Sequence, residues 1–250
     1  MLSYPRIFFL VSLLVLWVSA QAGTWLRRRR PLKDGEREDF NVVEAATLTL
    51  LGLIIGFSFS MAISRYDLRK NYEEAEANAI GTEYVRAGLL PAADAAGVRG
   101  QLEKYLELRL RFYRTRDEHD LEQINADTAR LQSEMWSAVQ APAVAHPSPV
   151  IALAIAGMND VLNSQGYTQA AWWNRIPGSA WTLMIAIAVC CNLLVGYGAH
   201  GAGAKSGLLF ILPLVISIAF LLISDIDSPR RGFINVVPQN LESLSQSLPK

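Results

Sequence analysis

The sequence predicts an all-α membrane protein with four transmembrane helices and a helical polar bundle between the second and third. Three observations carry that prediction. First, the 23 basic and 23 acidic side chains leave four windows with no charge: Ile7–Leu26, Ala45–Ser64, Ile176–Ala204 and Ser206–Ser224. Each reaches or exceeds about 20 residues, the mostly apolar length that a helix needs to cross ~30 Å of hydrocarbon. Second, "LTLLGLIIGFSFSMAI" and "LLFILPLVISIAFLLI" have no charged face, whereas helices of soluble proteins alternate apolar and polar faces. Third, residues 65–175 hold 27 of the charges, so the polar mass is concentrated in one stretch. A net charge of zero excludes an obviously basic nucleic-acid binder, and the high apolar content excludes a disordered chain.

Residues 1–41 comprise a first span, about 7–22, and a basic loop. Arg6, a short apolar run and Ala20-Gln21-Ala22 resemble a secretory signal with its cleavage site. Arg27–Arg30 follow at once and resist translocation, which argues for an uncleaved anchor. The second span is placed at 42–63. Arg27–Arg30, Lys33 and Arg37 argue that the first loop lies inside; Arg65, Arg69, Lys70, Arg230 and Arg231 argue the reverse.

The polar domain is placed at 64–178. Arg65 to Leu90 has no proline and continues the second span as one rod, on which Glu73, Glu74 and Glu76 suit an exposed helix. Pro91, Gly97 and Gly100 punctuate the chain. Leu102, Tyr105, Leu106, Phe112 and Tyr113 fit one helical face. "RTRDEHD" is then a hinge or a solvated turn. Leu121, Ile124, Thr128, Leu131 and Met135 step by three and four, a coiled-coil-like seam. "APAVAHPSP" reads as a linker, since its prolines oppose a helix. Val150–Met158 is a short core helix. Trp172, Trp173 and Trp181 suit a membrane interface. Pro177 opens the third span at 179–197, and the fourth follows at 208–224, kinked by Pro213. Residues 225–250 form a tail.

Several constellations are candidates for function. Gly52, Gly56 and Ser60 put three small residues on one face of the second span, for packing within the chain or for an oligomer contact. Thr49, Leu53 and Phe57 recur on a neighbouring stripe, either a lipid-facing row or a hydrophobic constriction that gates by dewetting. Glu44, at the start of the span, is either a costly charge at membrane depth or a carboxylate favoured by a helix N-terminus. Asp225 and Asp227 have the oxygens for a hard cation. Their spacing supplies too few for a full calcium loop, which favours pairing with Arg230 and Arg231. Asn192 is placed to bridge helices. Cys190 and Cys191 behave as small apolar packing residues. Enzyme signatures are missing. There is no pair of Glu-x-x-His motifs, no Gly-x-Ser-x-Gly and no phosphate or dinucleotide loop, and His119-x-x-Glu122 sits alone in a charged stretch. No enzyme, cofactor or metal site is expected.

"GFSFSMAISRYDLRKNYEEAEANAIGTEY", beginning at Gly56, resembles the bestrophin-like domain family of bacterial membrane proteins, long described only as a domain of unknown function. The resemblance runs from about Asn41 to Leu248. It includes "EANAIGTEYVRAGLLP", the "NRIP" entry to the third span with Trp181, and "SDIDSPRRGFINV". A more distant similarity reaches the bestrophin anion channels, through Gly56-Phe57, then Ser64-Arg65-Tyr66, and through Asp227-Ser-Pro229-Arg-Arg-Gly232. The resemblance implies a four-span helical protomer that assembles as a homo-pentamer around a pore lined by the second span. Its neck would fall on Thr49, Leu53 and Phe57. Thr49 stands where a large apolar residue is usual, and the acidic run that supports calcium gating is missing. The implied partners are the bilayer of a bacterial inner membrane, further copies of the chain, and chloride or other small anions, with no nucleic acid. The leading functional expectation is an anion-permeable channel. The competing one is a membrane-anchored scaffold or sensor, motivated by the polar bundle, its seam and the lack of an obvious ion ladder.

Overall fold

The computed structural model describes residues 5–199 and 206–249. The end of the uncharged window Ile176–Ala204, and with it the link between the third and fourth spans, lies outside the described residues. Helices make up nearly all of what is described: α1 (Pro5–Arg29), α2 (Arg37–Arg86), α3 (Ala92–Arg114), α4 (Glu118–Ala145), α5 (Pro149–Trp173), α6 (Gly178–Gly198), α7 (Ser206–Asp227) and α8 (Gln239–Ser247). Four helical stretches are long and apolar enough to cross a membrane: Pro5–Arg29, Arg37–Leu89, Pro149–Gly198 and Gly207–Asp227. The chain divides into two compact units, Met1–Arg65 with Arg175–Ile234, and Tyr66–Asn174 with Asn235–Lys250.

The first unit is built on α1, which packs against both α6 and α7. Small residues make the close approach. A methyl at Gly23 would overlap the carbonyl of Leu193, and one at Gly196 the carbonyl of Ala20, so the α1 and α6 backbones meet where neither helix has a side chain. In lipid, where apolar surface gains nothing by leaving solvent, such approach is what holds helices together. Ser19 donates to the Val189 carbonyl across the same contact at 2.7 Å. Nearby, Phe8, Trp181 and Phe220 form an aromatic cluster with ring centres 5.1–6.0 Å apart. Arg27 caps the end of α6, donating to the carbonyls of Tyr197 and Gly198 at 2.9 and 2.8 Å. A cation is favoured there by the helix dipole.

The second unit contains the polar half of α2, α3, α4, α5 and α8. Its core is apolar, with Val98, Leu102, Tyr105, Phe112, Met135 and Met158 almost without exposure. Phe112, Tyr113 and Trp172 meet edge to face within it. The seam Ile124, Thr128, Leu131 and Met135 is buried and continues to Val139 and Pro142; Leu121 is half-buried.

Several sequence expectations need correction. The linker at 141–149 is mostly helix, because α4 carries Pro142 inside it and ends only at Ala145. A proline costs an interior hydrogen bond and kinks a helix without always ending it. Val150–Met158 belongs to a helix of 25 residues, capped by the Ser148 hydroxyl, which accepts from the Ile151 amide at 3.2 Å. Gly97 and Gly100 lie inside α3; Pro91 alone marks the break. Trp172 and Trp181 are core residues, and of the three tryptophans only Trp173 is exposed. Asn192 bridges no helices through its amide nitrogen, which donates to Ala188 one turn back in its own helix.

Candidate functional site

α2 is the least covered of the four candidate spans. Only 17% of its apolar window is buried, against 28–33% for the other three. The part that is covered keeps helical register: Leu51, Ser58 and Ala62 are buried, at spacings of seven and four. The stripe Thr49, Leu53 and Phe57 lies away from that face. Leu53 is 52% and Phe57 62% exposed, and Thr49 is exposed as well. The Thr49 hydroxyl donates to the Ala45 carbonyl at 2.8 Å, so its proton is committed to the helix backbone. Gly52, Gly56 and Ser60 are also exposed, and a methyl at either glycine would meet nothing within 4 Å. Nothing within the protomer packs on this face at the two glycines. Glu44 is half-buried beside Gly198, about two turns inside a helix whose N-terminus is at Arg37. Glu38 and Asp39 hold the N-terminal positions, so the dipole argument applies to them and not to Glu44.

At the other end of the span, the carboxylates after α7 organise the chain. Asp227 accepts from the Ile176 amide at 3.1 Å through both oxygens and lies 3.6 Å from Arg65 of α2. It thereby ties together the end of α7, the start of α6 and α2. Asp225 accepts from the amides of Phe233 and Ile234 at 2.8–2.9 Å, which closes the turn after α7. A side chain at Gly232 would press on Asp225, so that turn needs glycine. Backbone N–H groups and Arg65 are among the partners that these acids take. Among the described residues, no group of three or more His, Cys, Asp or Glu is placed to hold a metal. Tyr66 belongs to the second unit and packs against its core.

The polar half of α2 corrects the sequence reading most. Glu74 is exposed, but Glu73 and Glu76 are buried, together with Arg69 and Glu83. With Ile80 they recur every three or four residues, on one face. That spacing is present in the sequence and was the signal available; charge content concealed it. Arg69 donates to the carbonyls of Ala171 and Asn174 at 3.2 Å, capping α5. Glu73 accepts from the Leu241 amide at 2.9 Å and from the Asn240 side chain, capping α8. Glu76 accepts from Arg109, from the Tyr113 hydroxyl at 3.3 Å and from Thr168 at 3.1 Å. Burial works to lower the Arg109 pKa, but the Glu76 charge, Tyr105, the hydrogen bond to Glu76 and Tyr113 together outweigh it and the net shift is upward. Burial, and then the Glu76 charge, push the Tyr113 hydroxyl well above its usual range.

Four apolar helices, the least covered of them running on into a helical polar unit, define a class: a multi-pass helical membrane protein. The bestrophin-like domain model matches residues 10–241, and the chain belongs to that family. Its fold is similar to that of a bacterial bestrophin homologue from Klebsiella pneumoniae, at 16% identity and a TM-score of 0.63, covering 98% of this chain and 99% of that one. A crystal structure described as a membrane protein with a single substitution is similar as well, at 15% identity and a TM-score of 0.62, covering 96% and 98%. A search of curated proteins finds no match.

Proposed function

We propose that the chain forms a homo-oligomeric, anion-permeable channel in the bacterial inner membrane, with α2 lining the pore. The observation that carries this reading is the exposed stripe Thr49, Leu53 and Phe57 on the least covered span. Three helical turns of mostly apolar side chain, repeated around a ring, make a short neck that gates by wetting and drying. The uncovered Gly52–Gly56–Ser60 face beside it suits close approach of a second copy. Family membership supports the same assembly, a pentamer by resemblance. Conduction is passive, since the neck offers no charged side chain to trap an ion. Purified protein in chloride-loaded liposomes should leak anions, and Phe57→Ala should change the rate severalfold by widening the neck. Flux no greater than that of empty liposomes would sink the proposal.

The scaffold alternative loses one of its motives, because the seam is occupied inside the polar unit. A monomer or dimer in mild detergent would revive it; a ring of five favours the channel.

A further inference from the structure

The polar half of α2 holds two completely buried carboxylates seven residues apart, Glu76 and Glu83, each 0% exposed. Glu76 has three donors. Neither oxygen of Glu83 has a hydrogen-bond partner. The Glu83 carboxyl group lies on the backbone of α5 at Gly157, where a methyl would overlap its Oε2. The surrounding charges are few. Arg86, also on α2, packs against the same glycine, its Nη1 2.8 Å from where a methyl would stand, and pairs with Asp160 of α5 at 3.8 Å. The segment Ala87–Leu89 contributes no ionisable side chain. From α3, Arg99 and Glu103 are directed at Tyr84. Arg99 donates to the Tyr84 carbonyl at 3.1 Å, and the Tyr84 hydroxyl donates to Glu103 at 3.1 Å. A buried carboxylate with no donor is a poor anion and a tolerable neutral acid.

We propose that Glu83 is held as a neutral carboxylic acid, and that its contact with Gly157 is a proton-operated latch between α2 and α5. While the carboxyl group keeps its proton, the helices pack closely at this point. When the proton leaves to solvent, the charge moves out of the contact toward Arg86, which has only a long ion pair to surrender, and α5 loosens. Burial raises the Glu83 pKa to about 8, Arg86 opposing and Asp160 assisting. The closed contact thus keeps a proton between 4.5 and about 8 that an opened, solvated Glu83 has lost. The contact is at full strength below 4.5, weakens as pH rises, and weakens no further above about 8. The latch is independent of ion conduction.

The test uses the full chain in detergent. The infrared difference between wild type and Glu83→Gln at neutral pH should contain the carbonyl band of a protonated carboxylic acid, fading as pH passes about 8. Hydrogen exchange in α5, corrected for its intrinsic pH dependence, should report opening that rises roughly tenfold per pH unit between 4.5 and that point. In Glu83→Gln it should stay flat. Glu83→Met, unbranched and uncharged, gives the same reading where the glutamine variant accumulates poorly. No protonated-acid band, or an α5 pH dependence equal in wild type and variants, overturns the proposal.

Discussion

One helix, α2, has two halves in different situations. In its apolar half the covered face is made of Leu51, Ser58 and Ala62, while Leu53 and Phe57 lie uncovered. In its polar half the covered face is made of Arg69, Glu73, Glu76 and Glu83, with Ile80 among them. The helical register is the same; the chemistry of the hidden face is reversed. Where lipid is the solvent, an uncovered leucine costs nothing, and small residues are favoured where helices touch. Where water is the solvent, burying a charge is tolerable only when each is matched by donors or acceptors. Three of the four have such partners, and those partners tie α3, α5 and α8 to α2. The apolar half therefore leaves much of its surface to lipid or to other chains, while the polar half is committed within its own.

The sharpest way to break this contrast is Arg109→Met. It leaves the Glu76 carboxylate buried without its cation, which costs about 3–5 kcal/mol. The second unit should lose its protection against limited proteolysis between 66 and 174 at neutral pH. In the other unit α1 packs on α6 and α7, and those fragments should stay intact. A variant as resistant as wild type would mean that the pair at Glu76 organises nothing.

The sequence made the solvent of each half legible and concealed the faces. The four spans follow from uncharged length alone, because lipid demands it of the whole segment. The continuity of α2 follows from the missing proline between Arg65 and Leu90. The stripe Thr49, Leu53 and Phe57 follows from spacing, but spacing leaves open whether a stripe is covered. Glu73 and Glu76 were misread because acidic residues are usually solvated, and their partners, Leu241 and Arg109, are far away in the chain. Trp172 and Trp181 were misread for a related reason: an indole suits both an interface and a core, and only packing against Phe112 or Phe8 decides.

A smaller effect tests the first unit by itself. Gly23→Ala forces a methyl into the Leu193 carbonyl and to 2.7 Å from the Tyr197 amide nitrogen. Backbone atoms yield less readily than side chains, so the loss should be about 1–3 kcal/mol. For a chain of this length that is about 2–4 °C in thermal midpoint for each kcal/mol, measured in detergent. A loss as large as that of Arg109→Met would put the apolar unit on an equal footing with the polar one and remove the contrast.

The smallest expected effect on the protomer belongs to Gly52→Leu. Nothing lies within 4 Å of the position a side chain would enter. The protomer's own stability should change by no more than about 0.5 kcal/mol, as for surface substitutions generally. Assembly should change much more, because a leucine holds two α2 backbones apart where glycine lets them touch. Native mass spectrometry of wild type and variant, beside a melting curve of each, separates the two readouts. A ring lost with the melting curve unmoved places the glycine face between copies of the chain. A ring retained assigns that face to lipid, and α2 would then be uncovered only because lipid covers it.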